Sequence, residues 1–480
     1  MIAVSLCLLF ALPQGPSKED LREAQKFVLT NSEKSVRKGT NLCASLNCVS
    51  SMEILLKRFK GDQPHYRDIV WDGIVLFDDP YSREMIAKEL KKNKKDAYLR
   101  QWAAEALGVY ADPTYGPILM KAAKDKSVGV RRAVAKSLGQ VGLKEAEKIL
   151  VRFLKDKDSI VRGNAIESLL QLGVASAQEI YQQGLNDPDA GTRTALLAIV
   201  QKYSQEHTVS YSLKALQDDD WRVRLQAIEN LFECEPTTEI MDSLIPALGR
   251  VRPLVRVPLL AGIQDWTGMK FRSSEDWDRW WSENRQTFLL KKGNGTNNST
   301  EETVATYNGL RVDSDHIAFL MDISSTMDER TRGGERKRDL SISELEKTLK
   351  NLPETTHFNV YAYSSEIDVW SEVAQPVTPK NIKAALKFVR KSKARGNKNI
   401  WGALTEVLND PDIDTVFLLS SGEPEVGLYV HHNRVVDHLV DRNRFRKMVV
   451  HGVVYSDSTW NQDQIRYISK GTGGSFTIVE

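Results

Sequence analysis

The stretch FLMDISSTMDE, residues 319–329, ends a short apolar run in Asp322 and continues with Ser324 and Thr326 at alternate positions. A carboxylate and two hydroxyls in one short loop are the oxygen ligands that a hard divalent cation takes. Asp328 and Glu329 follow directly and read as solvated loop charges. No other stretch offers comparable chemistry. The chain has no G-x-S-x-G, no P-loop, no H-E-x-x-H and no C-x-x-C. Its eight histidines are scattered except His431–His432, whose adjacent positions point apart. A binding role rather than an enzymatic one is therefore expected, with a lyase-like or hydrolytic site assembled from distant residues as the alternative.

The elements that must position Asp322 begin near residue 307. Apolar, β-rich runs (HIAFLMD, HFNVYAYS, TVFLLSSG, MVVHGVVYS) alternate with helical stretches such as PKNIKAALKFVRK. That alternation predicts βαβ units and a mostly parallel sheet covered on both faces. In such sheets ligands bind beyond the carboxyl ends of the strands, at the topological switch point. YNGLRVDSDHIAFLMDISSTM, with ARGNKNIWGAL, VFLLSSGEPEVG and IRYISKGTGGSF following in order, resembles a von Willebrand factor A-type domain over residues 307–480.

The resemblance implies an α/β doubly wound fold and a Mg²⁺ or Mn²⁺ held by side chains of three loops. Asp322, Ser324 and Thr326 fit the first loop, D-x-S-x-S. The second is normally G-G-T-N-I; here it is Gly396, Asn397, Lys398, Asn399, Ile400, with lysine in the threonine's place. The third is normally T-D-G-x-P; here it is Ser420, Ser421, Gly422, Glu423, Pro424, with Ser421 in the aspartate's place. One of two carboxylates is thus gone, and an ammonium, which has three donors and no lone pair, has been added. The metal site is expected to be degenerate, with no cofactor. The Lys398 ammonium would stand in for the ion, pairing with Asp322 and bonding to the hydroxyl of Ser324 or Ser421. An empty site with Lys398 in solvent, and an atypical weak Mg or Mn site serving metal-dependent adhesion, are the alternatives. Asp322, Lys398, Ser421 and Glu423 form the expected partner-binding face. DPDID, residues 410–414, reads as a turn, and the cations of RKSKARGNK as a helix end.

Upstream lies a repeat. Arg100, Arg131, Arg162, Arg193 and Arg224 follow one another at 31-residue steps, with Asp125, Asp156, Asp187 and Asp218 each six residues ahead of an arginine. Each unit reads as two amphipathic helices joined by polar turns such as KDKD and NDPD. The aspartates are placed to cap helices and the arginines to form a structural ladder from turn to turn. The units resemble short HEAT repeats like those of phycobilisome-lyase-like proteins. The expected solenoid covers 81–290 and ends in a helix whose Trp277, Trp280 and Trp281 cap the last apolar surface; this segment resembles the Trp-rich tails that close HEAT arrays in many large bacterial exported proteins.

The remaining segments are less specific. Ile2 to Leu12 reads as the core of a signal peptide (residues 1–17), although it lacks a basic start and an A-x-A site; a buried or interfacial start is the other reading. Export is expected, followed by helices over 18–80 and a flexible, sequon-bearing linker over 291–306. Cys43 and Cys48 form either a local disulfide or two free thiols, and Cys234 lies within a repeat helix. With 66 basic against 64 acidic residues the chain is not a dedicated nucleic-acid binder, and no apolar run of membrane-spanning length argues for insertion. Protein partners are expected. The fold class is multidomain: an all-α HEAT solenoid followed by the α/β domain.

Overall fold

The computed structural model describes residues 16–293 and 305–479, apart from Asp62, Lys94, 174–176, Ser204, Arg272, Lys393 and Ala394. The expected signal segment up to residue 15, Cys7 and the sequons at Asn294, Asn297 and Asn298 lie outside the described residues. The chain forms two compact units, Met1–Gly142 and Leu143–Glu480.

In the first unit the helices run from Lys18–Val28 to Val128–Gln140, so the segment before residue 80 is built like the repeats. Its helix starts are chemically marked. The Asp79 carboxylate accepts the Ser82 N–H at 2.7 Å ahead of Pro80, and Asp96 accepts that of Leu99 at 3.1 Å. Trp102 is buried with the Phe59 ring centred 3.8 Å away. A Cβ at Gly73 would stand 2.4 Å from Thr40 Cγ2, so glycine there lets Glu33–Leu46 and Pro64–Ile74 approach closely. Cys43 and Cys48 are free thiols. Burial, then the charge of Cys48, pushes the Cys43 thiol up to about 12, which makes it inert at neutral pH.

The arginine ladder is present. Arg100, Arg162 and Arg193 each pair bidentately with the aspartate 25 residues on: Arg100 with Asp125 in the first unit, Arg162 with Asp187 and Arg193 with Asp218 in the second, all at 2.7–2.9 Å. Their Nη1 groups also bond a carbonyl of the preceding turn, as from Arg193 to Asp187 O at 2.7 Å. The ladder aspartates accept the N–H two residues on, and the aspartate found there caps the helix proper, as Asp187 and Asp189 do in sequence. Arg224 ends the series. Gly249 occupies the next rung position, and the Arg224 Nε has no partner among the described residues.

In the second unit Ser273 caps the helix Ser274–Asn284 by accepting the Asp276 N–H at 3.1 Å. That helix buries Trp277 and Trp281 against Met241, Leu244, Ile263 and Trp266. Trp281 Nε1 donates to Asp242 at 3.0 Å, and Arg285 holds the same carboxylate. Cys234 is not inside a helix: it terminates Trp221–Glu233 in extended conformation. The start of the expected linker is also not free, since Lys291 N–H bonds Trp266 O at 3.2 Å and Gly293 N–H bonds Asp265 at 2.9 Å.

The rest of the unit is the α/β domain. A small hairpin, β1 (Thr306–Tyr307) and β2 (Leu310–Arg311), precedes β3 (His316–Asp322), β4 (His357–Tyr363), β5 (Ile367–Val369), β6 (Gln375–Pro376), β7 (Thr415–Ser420), β8 (Val449–Val454) and β9 (Phe476–Ile478). The sheet order is β5-β4-β3-β7-β8-β9, with β6 on β4. β4, β3, β7, β8 and β9 pair in parallel; β5 and β6 run antiparallel to β4. β3 and β7 are buried almost throughout, as befits strands covered on both faces.

Candidate protein-binding site at the switch point

The chain order of the strands reverses direction between β3 and β7, so a crevice opens beyond their carboxyl ends. Asp322 is the last residue of β3 and Ser421 follows the last residue of β7. Both are buried. Asp322 Oδ1 accepts the Ser324 N–H at 2.7 Å; Oδ2 accepts the Ser421 N–H at 2.8 Å and the Ser421 hydroxyl at 2.6 Å. Thr326 Oγ1 lies in hydrogen-bond contact with Ser421 Oγ and with Ser324 Oγ, the latter at 2.9 Å. Asp322, Ser324, Thr326 and Ser421 thus form one closed hydrogen-bonded cluster. Beneath it the buried Tyr363 hydroxyl donates to Leu419 O at 2.7 Å; burial and then the Asp322 charge hold this phenol well above its ordinary range.

Lys398 is also buried, at 3% exposure. It does not point to solvent, and its recorded ion pair is not with Asp322. The ammonium pairs with Glu425 at 2.8 Å, and the same carboxylate accepts the Lys398 N–H at 3.0 Å. The Lys398 carbonyl in turn accepts the N–H groups of Glu425 and Val426. The second and third loops are therefore stitched together by one lysine and one glutamate. Lys398 Cε lies 3.3 Å from where a Cβ on Gly422 would be, so the side chain runs along the third loop. Glu423 accepts the Trp460 indole N–H. Asp328 is exposed and Glu329 is paired with Lys337 at 2.8 Å. Glu425 was not anticipated from the sequence; its only signal is a second acid two residues past Glu423.

A second polar cluster lies at the other end of β3. Asp315, His316 and Asp414 each bring a ligand-type atom within 4.8 Å of the others. Asp414, the end of the DPDID run, is not a solvated turn residue: it is fully buried and accepts the Ser314 hydroxyl at 2.5 Å. Burial pushes its carboxyl up to about 6, against the lowering influence of the Ser314 hydrogen bond and of Arg252. A carboxyl whose pKa is raised by folding favours the fold when protonated, so this contribution is present near pH 4 and is lost as pH rises through about 6. The expected result is that Asp414→Asn removes a component of stability loss between pH 5 and 7, measured by denaturant titration at both values.

The parallel sheet with its Asp322 loop and the helices with their arginine ladder define a chain that joins HEAT repeats to a von Willebrand factor type A domain. Family comparison assigns HEAT repeats to residues 84–170 and a von Willebrand factor type A domain to 315–478. Inter-alpha-trypsin inhibitor heavy chain H3 of Bos taurus is 29% identical over 131 residues, 25% of this chain and 14% of that protein. Inter alpha-trypsin inhibitor heavy chain 4 of Mus musculus is 25% identical over 126 residues, 24% of this chain and 13% of that protein. The chain thus spans only a small part of these relatives' length. Among solved structures, a von Willebrand factor type A protein from Catenulispora acidiphila matches at 15% identity and a TM-score of 0.30, covering 34% of this chain and 38% of its own. The CpcE–CpcF complex of phycocyanin lyase from Nostoc sp. matches at 17% identity and a TM-score of 0.30, covering 52% and 98%. No helix among the described residues is long and apolar enough to cross a membrane.

Proposed function

We propose that this chain is a non-enzymatic protein-interaction module whose von Willebrand domain engages a protein partner through the face around Asp322, Lys398, Ser421 and Glu423, without a divalent cation. Both kinds of domain commonly serve protein interaction. The observation that carries the metal-free reading is the internal hydrogen bonding of Asp322. Three hydrogen bonds engage its two oxygens, and the Lys398 ammonium in the second loop is neutralised by Glu425. The residues present do not fit Mg²⁺ or Mn²⁺, which take much of their binding from carboxylates. Lys398 here braces the second loop against the third rather than neutralising Asp322, which fixes the loops that surround the buried Asp322 cluster at the switch point. The apolar stretch from Ile2 to Leu12 supports export of the chain.

A weak, metal-dependent adhesion site is the competing reading, favoured by the three clustered hydroxyls beside a carboxylate. Calorimetric titration of the full chain with Mg²⁺ and Mn²⁺ separates the two. The natural chain is expected to give no binding heat, and the double variant Lys398→Thr, Ser421→Asp to bind in the roughly millimolar range or tighter. Binding by the natural chain at physiological magnesium would overturn the metal-free reading.

A further inference from the structure

Within the second unit the solenoid and the von Willebrand domain meet at the short segment Arg444–Lys447, between the helix His432–Asn443 and β8, and where Arg252 reaches Asp412 and Asp414. Phe445 is 3% exposed, and what covers it is solenoid. A Cβ at Gly163 would stand 2.4 Å from its ring, and a Cβ at Gly191 2.9 Å from its carbonyl oxygen. Both glycines lie within helices, where glycine is unfavourable and needs a reason. At the 31-residue repeat spacing, the positions equivalent to Gly163 hold Arg132, Thr194 and Leu225. The side chain is missing only where the Phe445 ring rests.

Charge and polarity match around the ring. The Arg444 guanidinium bonds Glu167 and Asn164; the Lys447 ammonium pairs with Glu229 at 2.5 Å; and Arg222 Nη1 donates to Phe445 O at 3.5 Å. A little further along, Arg252 donates to Asp412 O at 3.2 Å. The segment is also shaped in advance. Lys447 adopts a left-handed backbone (φ 53°), a conformation unfavourable for a residue with a side chain, and the Asn443 side chain ties the loop by bonding both the N–H and the carbonyl of Met448 at 2.8 Å. Arg446 turns the other way and bonds Asp410 O within its own domain.

We infer that the solenoid face formed by the helices Ser159–Gln171, Ala190–Tyr203 and Trp221–Glu233 is a receptor for a basic–aromatic segment, and that this chain's own Arg444–Lys447 is its resident ligand. The face is then withdrawn from other proteins. The dock engages the amino ends of β7 and β8, whereas Asp322 and Ser421 lie at the carboxyl ends of β3 and β7, so the switch-point face stays open.

Zero-length carbodiimide cross-linking of the full chain, read by mass spectrometry of the monomer band, tests this. A Lys447–Glu229 isopeptide link is expected in the natural chain, alongside the intradomain control Lys337–Glu329, whose atoms are 2.8 Å apart. The first link is lost and the control kept in Gly163→Leu and, should that variant misfold by circular dichroism, in Phe445→Ala with Arg444→Glu. If the control link forms in the natural chain while Lys447–Glu229 does not, or if the latter survives removal of Phe445 and Arg444, the resident-ligand assignment is overturned.

Discussion

Trp277→Ala is expected to destabilise the second unit by about 3–5 kcal/mol, the range for removing a large buried aromatic side chain. Trp277 is fully buried, with the rings of Phe271 and Trp280 centred 4.9 and 5.9 Å away, in a cluster that includes Met241, Leu244 and Trp266. Among the described residues its helix is the last of the solenoid, so no further helix stacks on it to collapse into the space. Denaturant titration checks the value. Leu289→Ala, at a side chain 76% exposed, is the control and is expected to change stability by no more than about 0.5 kcal/mol. If both variants behave alike, the tryptophan helix is not a cap and its rings serve some other contact.

Glu425→Ala is expected to cost about 3 kcal/mol, at the low end of the range for breaking a buried ion pair because the Glu425 side chain is itself 39% exposed. The loss comes from the other partner: the Lys398 ammonium stays in a site 4% exposed with no carboxylate facing it. Lys398→Met follows the opposite rule. Replacing a buried charge with an apolar side chain of similar length is near neutral or slightly stabilising, and in the Glu425→Ala background it should recover most of the loss. The double-mutant cycle by thermal or denaturant unfolding therefore gives a large coupling energy. A cycle with no coupling would mean that water, not Glu425, satisfies the ammonium.

The ladder and the sheet were legible in the sequence for a shared reason: both are periodic. The rungs Arg162–Asp187 and Arg193–Asp218 link residues 25 apart, so the 31-residue spacing of the arginines and the six-residue offset of the aspartates already contain the geometry. The run HIAFLMD likewise announces a strand buried on both faces. The site was legible in its identities but not in all its bonds. Lysine at 398 and serine at 421 stand out against the family pattern. Which carboxylate Lys398 meets, however, depends on how the loop after Gly422 folds back, and no spacing encodes that path. Glu425 was invisible for this reason. The Arg444–Lys447 segment carried no signal in the sequence, because its counterpart is not a motif but an absence of side chains at Gly163 and Gly191 more than 250 residues earlier.

The same segment gives the solenoid a mechanical property that a stack of repeats lacks. Neighbouring repeats of a solenoid touch only each other, so a stretched array peels one layer at a time, each step at low force. Here Arg444, Phe445 and Lys447 together touch Ser159–Gln171, Ala190–Tyr203 and Trp221–Glu233, three helices from successive repeats. A splint across three layers loads them in parallel. Pulled from its ends, this stretch should rupture as one event at higher force, and the splint itself is anchored in a sheet that extension of the solenoid does not unravel.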